Sequence, residues 1–434
     1  MLAGAEAGVA TGTTAGTTAG TTAGGEQVRR TRRVVVGLLL LVVLTQRIAV
    51  PFGGSQLPVS LPLVVVVTVL ALASGALEVD RVRLRLYALA MGATVVCTFI
   101  ALAAGRSPSL LSLVFLLAIY LLAVVRSPVD PQAFADEVHR ALLRLMTWAA
   151  VVSLLQLLVQ YLGVPHEDYL ARVVPATFLQ QGYNTGDPLS YGSAIYRSNA
   201  VVFLEPSFLG YFLGATLLVG LGRGVATWRI CLLLAGAVPA LAGNAVVVLV
   251  PGLVVLLLGH RRAVLRALVP ALVVGLVVAL ATPLGSLYVG RSTEISGGDT
   301  SANLRLVQPY RLLLPVWTQT PASVVAGVGA GAATTVVQDA TAEAVTTPAV
   351  PKLLVEYGAL GALPVLLFLS WVLAGGIRGR PWVIGLLLGY FVVNAALLQV
   401  TLALGTILLV RLVPPLPPGP TRRLPMRSRP VRAG

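Results

Sequence analysis

An all-α polytopic membrane protein is the fold class this sequence predicts, on three observations. Of 434 residues 57% are hydrophobic and only 11% charged, and the mean hydropathy is +0.89; a water-soluble chain needs more charge than that to cover its surface. The apolar residues fall in runs about as long as the ~20 residues a helix needs to cross hydrocarbon. The basic residues sit in short clusters between those runs, so the net charge of +15 marks membrane boundaries and argues against a nucleic-acid surface. About twelve transmembrane helices are expected.

Residues 1–32 are expected to be a disordered tail, because "TTAG" repeated three times from Thr13 has no apolar periodicity with which to build a core. The transmembrane domain spans residues 33–414. Its apolar segments are 33–51, 58–77, 86–104, 109–125, 144–163, 206–222, 226–242, 244–259, 267–285, 352–374, 382–398 and 400–414. Each must be helical, since lipid cannot satisfy an open backbone. Residues 226–259 must reverse near Pro239, Gly243 and Asn244, because one helix of that length would measure ~50 Å against a core of ~30 Å. Residues 415–434 form a basic tail. Twelve spans put both termini on one side; with that side inside, 23 of the 31 basic residues face the cytoplasm and eight face out. Cys97 and Cys231 lie in apolar runs without CxxC spacing, which leaves no disulfide or zinc motif.

Two outer segments are too long to be turns, residues 164–205 and 286–351. The first holds His166, Glu167, Asp168, Arg172, Asp187, Arg197 and Glu205 among Tyr169, Tyr183, Tyr191 and Tyr196. The second supplies Arg291, Arg305, Arg311 and Lys352, with Tyr310 and Trp317. Tyrosines among polar groups suit sugar stacking, and arginine suits phosphate because its fork bonds two oxygens and keeps its charge.

These residues resemble the O-antigen polymerase and O-antigen ligase superfamily of membrane glycosyltransferases. The resemblance rests on Arg197, Phe203 and Glu205-Pro206-Ser207 in the first segment. In the second it rests on Arg305, Pro321 and "GVGAG" from Gly327 to Gly331, followed by Glu356, Gly358 and Gly361. It covers roughly residues 144–375. Gly243-Asn244 stands where the family often has Ser-Arg, and the second segment has no histidine, which leans away from a ligase and toward a polymerase. The resemblance implies a GT-C-like bundle in the bacterial cytoplasmic membrane, acting on its outer face. It implies a polyprenyl-diphosphate-linked glycan donor and a glycan acceptor, with no metal and no other cofactor.

For that chemistry Arg197 and Arg305 are the candidates to hold the diphosphate and stabilise the departing oxygen. Arg311, Lys352, Tyr196 and Tyr310 are candidates for substrate binding, and Glu205 for general base. Glu205 precedes a proline suited to a first helical turn; it could instead cap that helix or pair with Arg197. Arg47, Arg106 and Arg172 read as snorkelling anchors, "HED" at 166–168 as a solvated loop, and Glu356 as a partner of Lys352 one turn earlier. A lipid-linked glycan flippase is the alternative, although transporters keep charges and broken helices at the midplane and often repeat their halves. A dolichol-type transferase would carry acidic residues in the first outer loop, and "VPFGGSQLP" has none. A non-catalytic scaffold remains compatible with composition.

Overall fold

A computed structural model describes residues 16–52, 55–183, 185–189, 193–281, 303–341, 345, 347–377, 379–393 and 397–417. The described chain is mostly helical. The first helices are α1 (Gly16–Leu44), α2 (Ser60–Ala73), α3 (Arg81–Ala103), α4 (Leu110–Leu121), α5 (Ala135–Tyr161), α6 (Pro206–Arg223), α7 (Thr227–Ala237) and α8 (Gly243–Ala281). Four short helices follow: α9 (Asn303–Leu306), α10 (Gln308–Trp317), α11 (Pro321–Ala326) and α12 (Ala332–Ala340). The chain ends with α13 (Ala349–Ala374), α14 (Trp382–Leu388) and α15 (Val400–Ile407). Each predicted apolar segment overlaps one of these helices in its described residues, with 244–259 and 267–281 sharing α8. Among the described residues, three helical stretches are long and apolar enough to cross a membrane by length and composition: Arg81–Ala103, Pro131–Tyr161 and Ala349–Ala374.

Two small antiparallel ribbons define the ends of the bundle. β1 (Ala49–Phe52) and β2 (Ser55–Pro58) make a hairpin between α1 and α2. β3 (Glu78–Val79) follows α2 and pairs with β4 (Val125–Arg126) beyond α4. That second ribbon gathers the chain leaving α2 and α4 at one end, so the α3–α4 turn lies at the opposite end, with the hairpin. Three further contacts belong to the hairpin end. Gln180 N–H donates to the Arg47 carbonyl, Ser198 N–H to the Pro239 carbonyl, and Gln399 Nε2 to the Tyr183 hydroxyl. At the far end Gln132 donates to the Pro415 carbonyl and Arg380 Nε to the Val413 carbonyl.

The middle is organised around α6. Nearly all of its side chains are apolar and buried, so it has no lipid-facing or water-facing stripe and serves as the core of the bundle. Its neighbours are α5, α7, α8 and α14.

Two expectations need correction. Helix α1 begins at Gly16, inside the segment expected to be disordered. Gln27 reaches the Gly75 carbonyl, the buried Thr31 hydroxyl donates to the Ala76 carbonyl at 2.8 Å, and Arg32 pairs with Glu137 at 3.3 Å. Threonine and alanine lack an apolar stripe, but no proline interrupts the helix, and tertiary partners hold its polar face. Residues 1–15, and 418–434 of the basic tail, lie outside the described residues.

The second correction concerns the predicted reversal between 259 and 267. Helix α8 runs unbroken through it, 39 residues with Pro251 and Pro270 inside. The stretch "HRRAVLR" contains neither glycine nor proline; a cluster of arginines marks a polar boundary without turning the chain. Helix α8 starts at the hairpin end, where Asn244 Nδ2 lies 3.4 Å from the Ser207 carbonyl, and by Gly252 it packs on the far-end Pro381 backbone. The chain is back at the hairpin end by Gly327, beside Arg106.

Helix α13 holds the most consequential local feature. Gly358 has φ 57 and ψ −168, so the helix breaks there. The carbonyls of Val355 and Glu356 accept instead from Val328 N–H at 2.7 Å and Gly329 N–H at 2.9 Å. A Cβ on Gly358 would collide with the Val325 carbonyl and the Gly327 amide, and one on Gly327 with the Glu356 backbone. The "GVGAG" stretch thus fills a break in a long apolar helix, where free carbonyls would otherwise go unsatisfied.

Candidate functional site

The stretch from Arg197 to Glu205 enters α6 through a tightly held turn. Ala200 and Val201 have φ 49 and 66, left-handed values that are rare for a β-branched residue such as valine. Side chains impose them. Ser198 Oγ accepts from Ala200 N–H at 3.1 Å, and Asn199 Oδ1 from Val201 N–H at 3.0 Å. Asn199 Nδ2 donates to the Phe203 carbonyl at 2.9 Å. From α5, Gln156 Oε1 accepts from Ser198 Oγ at 2.5 Å, and Gln160 bonds both the N–H and the carbonyl of Tyr196. Such strain persists only where surrounding contacts over-determine it, and it collects at functional sites.

Beneath that turn lies Arg47, 5% exposed. Its guanidinium forks onto both oxygens of Asp168, with Nη1 to Oδ1 at 2.7 Å, and also donates to the Val201 carbonyl at 3.0 Å. The anchor reading of Arg47 is therefore corrected: a buried arginine joining α1 to the first long segment does not snorkel. The solvated-loop reading of 166–168 changes with it, since Asp168 is paired and His166 stacks on Tyr196 at 5.0 Å between ring centres. Arg106 is likewise a tie, donating to the Gly327 carbonyl at 3.0 Å. Arg172 stays at the exposed surface, paired with Glu167.

Burial pushes the Asp168 carboxyl up, but the Arg47 guanidinium and the N–H groups of Ala171 and Leu170 outweigh it and hold its pKa below the ordinary value. A carboxylate depressed in the folded state contributes stability that is complete above its unfolded pKa, ~3.9, and lost as pH falls through the folded value. At pH 7 Asp168→Asn should therefore cost on the order of 1.5–3 kcal/mol, the worth of hydrogen bonds to charged groups. The gap from wild type should narrow below pH ~4. Thermal unfolding of the detergent-solubilised pair across that range is the check; a gap independent of pH would remove Asp168 as the cause.

The candidate residues fall as follows. Arg197 pairs with Asp187, not with Glu205. Glu205 is half-buried, makes no side-chain cap on α6, and accepts from the Ser207 hydroxyl at 2.9 Å. Neither capping nor a pair with Arg197 accounts for it. Tyr196 has one ring face against His166. Lys352 and Glu356 form an ion pair at 2.6 Å, with side chains 6% and 0% exposed. Arg305, on α9, and Tyr310, on α10, are half-buried, and Arg311 is exposed. Arg291 and Tyr191 lie outside the described residues.

Glu205 also makes itself felt at Tyr183. Burial pushes the Tyr183 hydroxyl's pKa up, the hydrogen bond from Gln399 pulls it back, and the Glu205 charge pushes it up further. Tyr183 packs edge-on against Phe208, one turn into α6. Among the described residues no group of three or more His, Cys, Asp or Glu side chains converges as a metal site.

In comparisons with known proteins, no family model matches the chain and no curated protein matches its sequence. The site is therefore read from its own residues.

Sequence reasoning missed Asn199, Gln156, Gln160 and Gln399, and gave Asp187 no role. Signals existed: Ser198-Asn199 is turn chemistry, and Gln156 with Gln160 puts two amides one turn apart in an apolar helix.

Proposed function

We propose that the chain is a metal-independent membrane glycosyltransferase of the O-antigen polymerase and ligase type. It would extend or transfer a polyprenyl-diphosphate-linked glycan on the outer face of the bacterial cytoplasmic membrane. One observation carries this reading furthest. The stretches Gly327–Gly331 and Glu356–Gly361, distant in sequence and both part of the resemblance, interlock through the Val328 and Gly329 amides, at the end of the bundle that holds Glu205. The hairpin end is then the outer face, with both termini cytoplasmic. A GT-C-like bundle of about twelve crossings belongs to this reading, with the helical content of the described residues as its support.

In this reading Glu205 takes the proton of the attacking hydroxyl, held half-buried by the locked turn before it. Arg197 and Arg305 hold the diphosphate and stabilise charge on the departing oxygen. Asp187 fixes the guanidinium of Arg197 in direction. Arg311 and Tyr310 extend the binding surface, and Lys352 acts from within its pair with Glu356.

The experiment is turnover of a lipid-linked oligosaccharide by the purified protein. Arg197→Lys keeps the charge and loses the fork, so it should cost at least ~10-fold in rate at equal expression. Full activity of that variant would remove Arg197 as the clamp. A flippase remains the second reading, favoured by the buried Lys352–Glu356 pair beside the break at Gly358, a combination typical of transport helices. Movement of lipid-linked glycan across proteoliposomes without transfer would select it.

A further inference from the structure

A cleft of about 590 Å³ opens at the hairpin end, between the β1–β2 hairpin and residues 177–183. Its walls include Ser55, Gln56, Thr177, Gln180, Gln181 and Tyr183, and none of the described residues lining it is charged. That is unusual company in a chain whose two long segments are rich in arginine and carboxylates. Carboxamides and hydroxyls each both donate and accept, so they match hydroxyl groups that do the same. They offer nothing to neutralise a phosphate or a carboxylate.

The cleft is built, not incidental. Gln56 donates from Nε2 to the Leu179 carbonyl at 3.0 Å and accepts from Gln181 N–H at 2.7 Å, so one side chain bonds the opposite wall as a strand would. Ile48 and Leu179 form a β-bridge alongside. Phe52 and Phe178, next in sequence to lining residues Pro51 and Thr177, are 53% and 44% exposed. At the inner end stands Tyr183, within electrostatic reach of Glu205. The size lies within the ~300–1,000 Å³ usual for small-molecule sites.

We propose that this cleft is a binding subsite for an uncharged oligosaccharide, which it leads toward Glu205. The inference rests on the glycosyltransferase reading for its purpose, but binding can be measured without transfer. Gln181 and Thr177 are exposed, and no hydrogen bond of their side chains is needed to hold the cleft, so the Thr177→Ala/Gln181→Ala double variant should fold as wild type does. Full-length protein in nanodiscs is presented with short linear gluco-, manno-, galacto- and rhamno-oligosaccharides, lacking lipid and diphosphate, and read by saturation-transfer difference NMR. At least one neutral series should receive saturation, and the double variant, with unchanged thermal unfolding, should reduce that signal at least ~5-fold, since lost hydrogen bonds to hydroxyls discriminate strongly. In turnover, the same variant should raise the acceptor's KM with little change in kcat. Absence of signal from every neutral series, stronger binding of uronic-acid oligosaccharides, or equal signal in the double variant would each overturn the proposal. Neutral binding lost in the variant, in a protein that transfers no sugar, would instead overturn the transferase reading and leave the subsite standing.

Discussion

The Glu356→Leu variant is expected to lose about 3–5 kcal/mol of stability, because it leaves the Lys352 ammonium buried without its carboxylate. The pair sits in the first two turns of α13, almost fully enclosed. Lys352→Met should cost a similar amount, by stranding Glu356. The double variant Lys352→Met/Glu356→Leu should recover most of the loss, since replacing a buried pair by apolar groups of similar volume is often neutral. Thermal unfolding of the four proteins in one detergent gives the cycle. Additive losses in the double variant would mean that the two residues do not act as a pair. Activity then sorts the two functional readings. A double variant that folds and still transfers glycan assigns the pair to architecture, and one that folds but is inert brings it into the functional cycle.

Glu205→Gln is expected to slow glycan transfer by ~10²–10⁴-fold while leaving fold and donor binding intact. The substitution keeps the shape and removes the basicity. It perturbs little of the structure, because Glu205 provides no side-chain cap for α6 and its described hydrogen bond comes from Ser207. Loss of a helix-end carboxylate alone would cost only ~1 kcal/mol. The measurement is turnover of purified protein with a lipid-linked oligosaccharide and chelator throughout, beside thermal unfolding of the same samples. A rate within a few-fold of wild type would return Glu205 to a structural role. Loss of activity on chelation alone would point to a metal and reopen His166 and Glu167.

Much of the helical layout was legible because the apolar runs that must be helical are written directly in composition. The pairing of Lys352 with Glu356 was legible too, since residues four apart share a helix face. That Gly358 breaks its helix was not legible, since glycine spacing does not show a positive φ. What sequence reading misjudged was governed by tertiary geometry, whatever the separation in the chain. Arg47 looked like an anchor because Asp168, 121 residues away, cannot be foreseen from local pattern. A pair of Arg197 with Glu205 was one reading of the sequence, yet the Pro188–Tyr196 bridge folds the chain back and delivers Asp187 to Arg197 instead. The "GVGAG" stretch suggested a loop, and only packing made it the filling of a broken helix. Composition and period decide which segments are helical because those energies are local; side-chain partnership is decided in three dimensions, by which backbone groups and charges the fold would otherwise leave buried and unsatisfied.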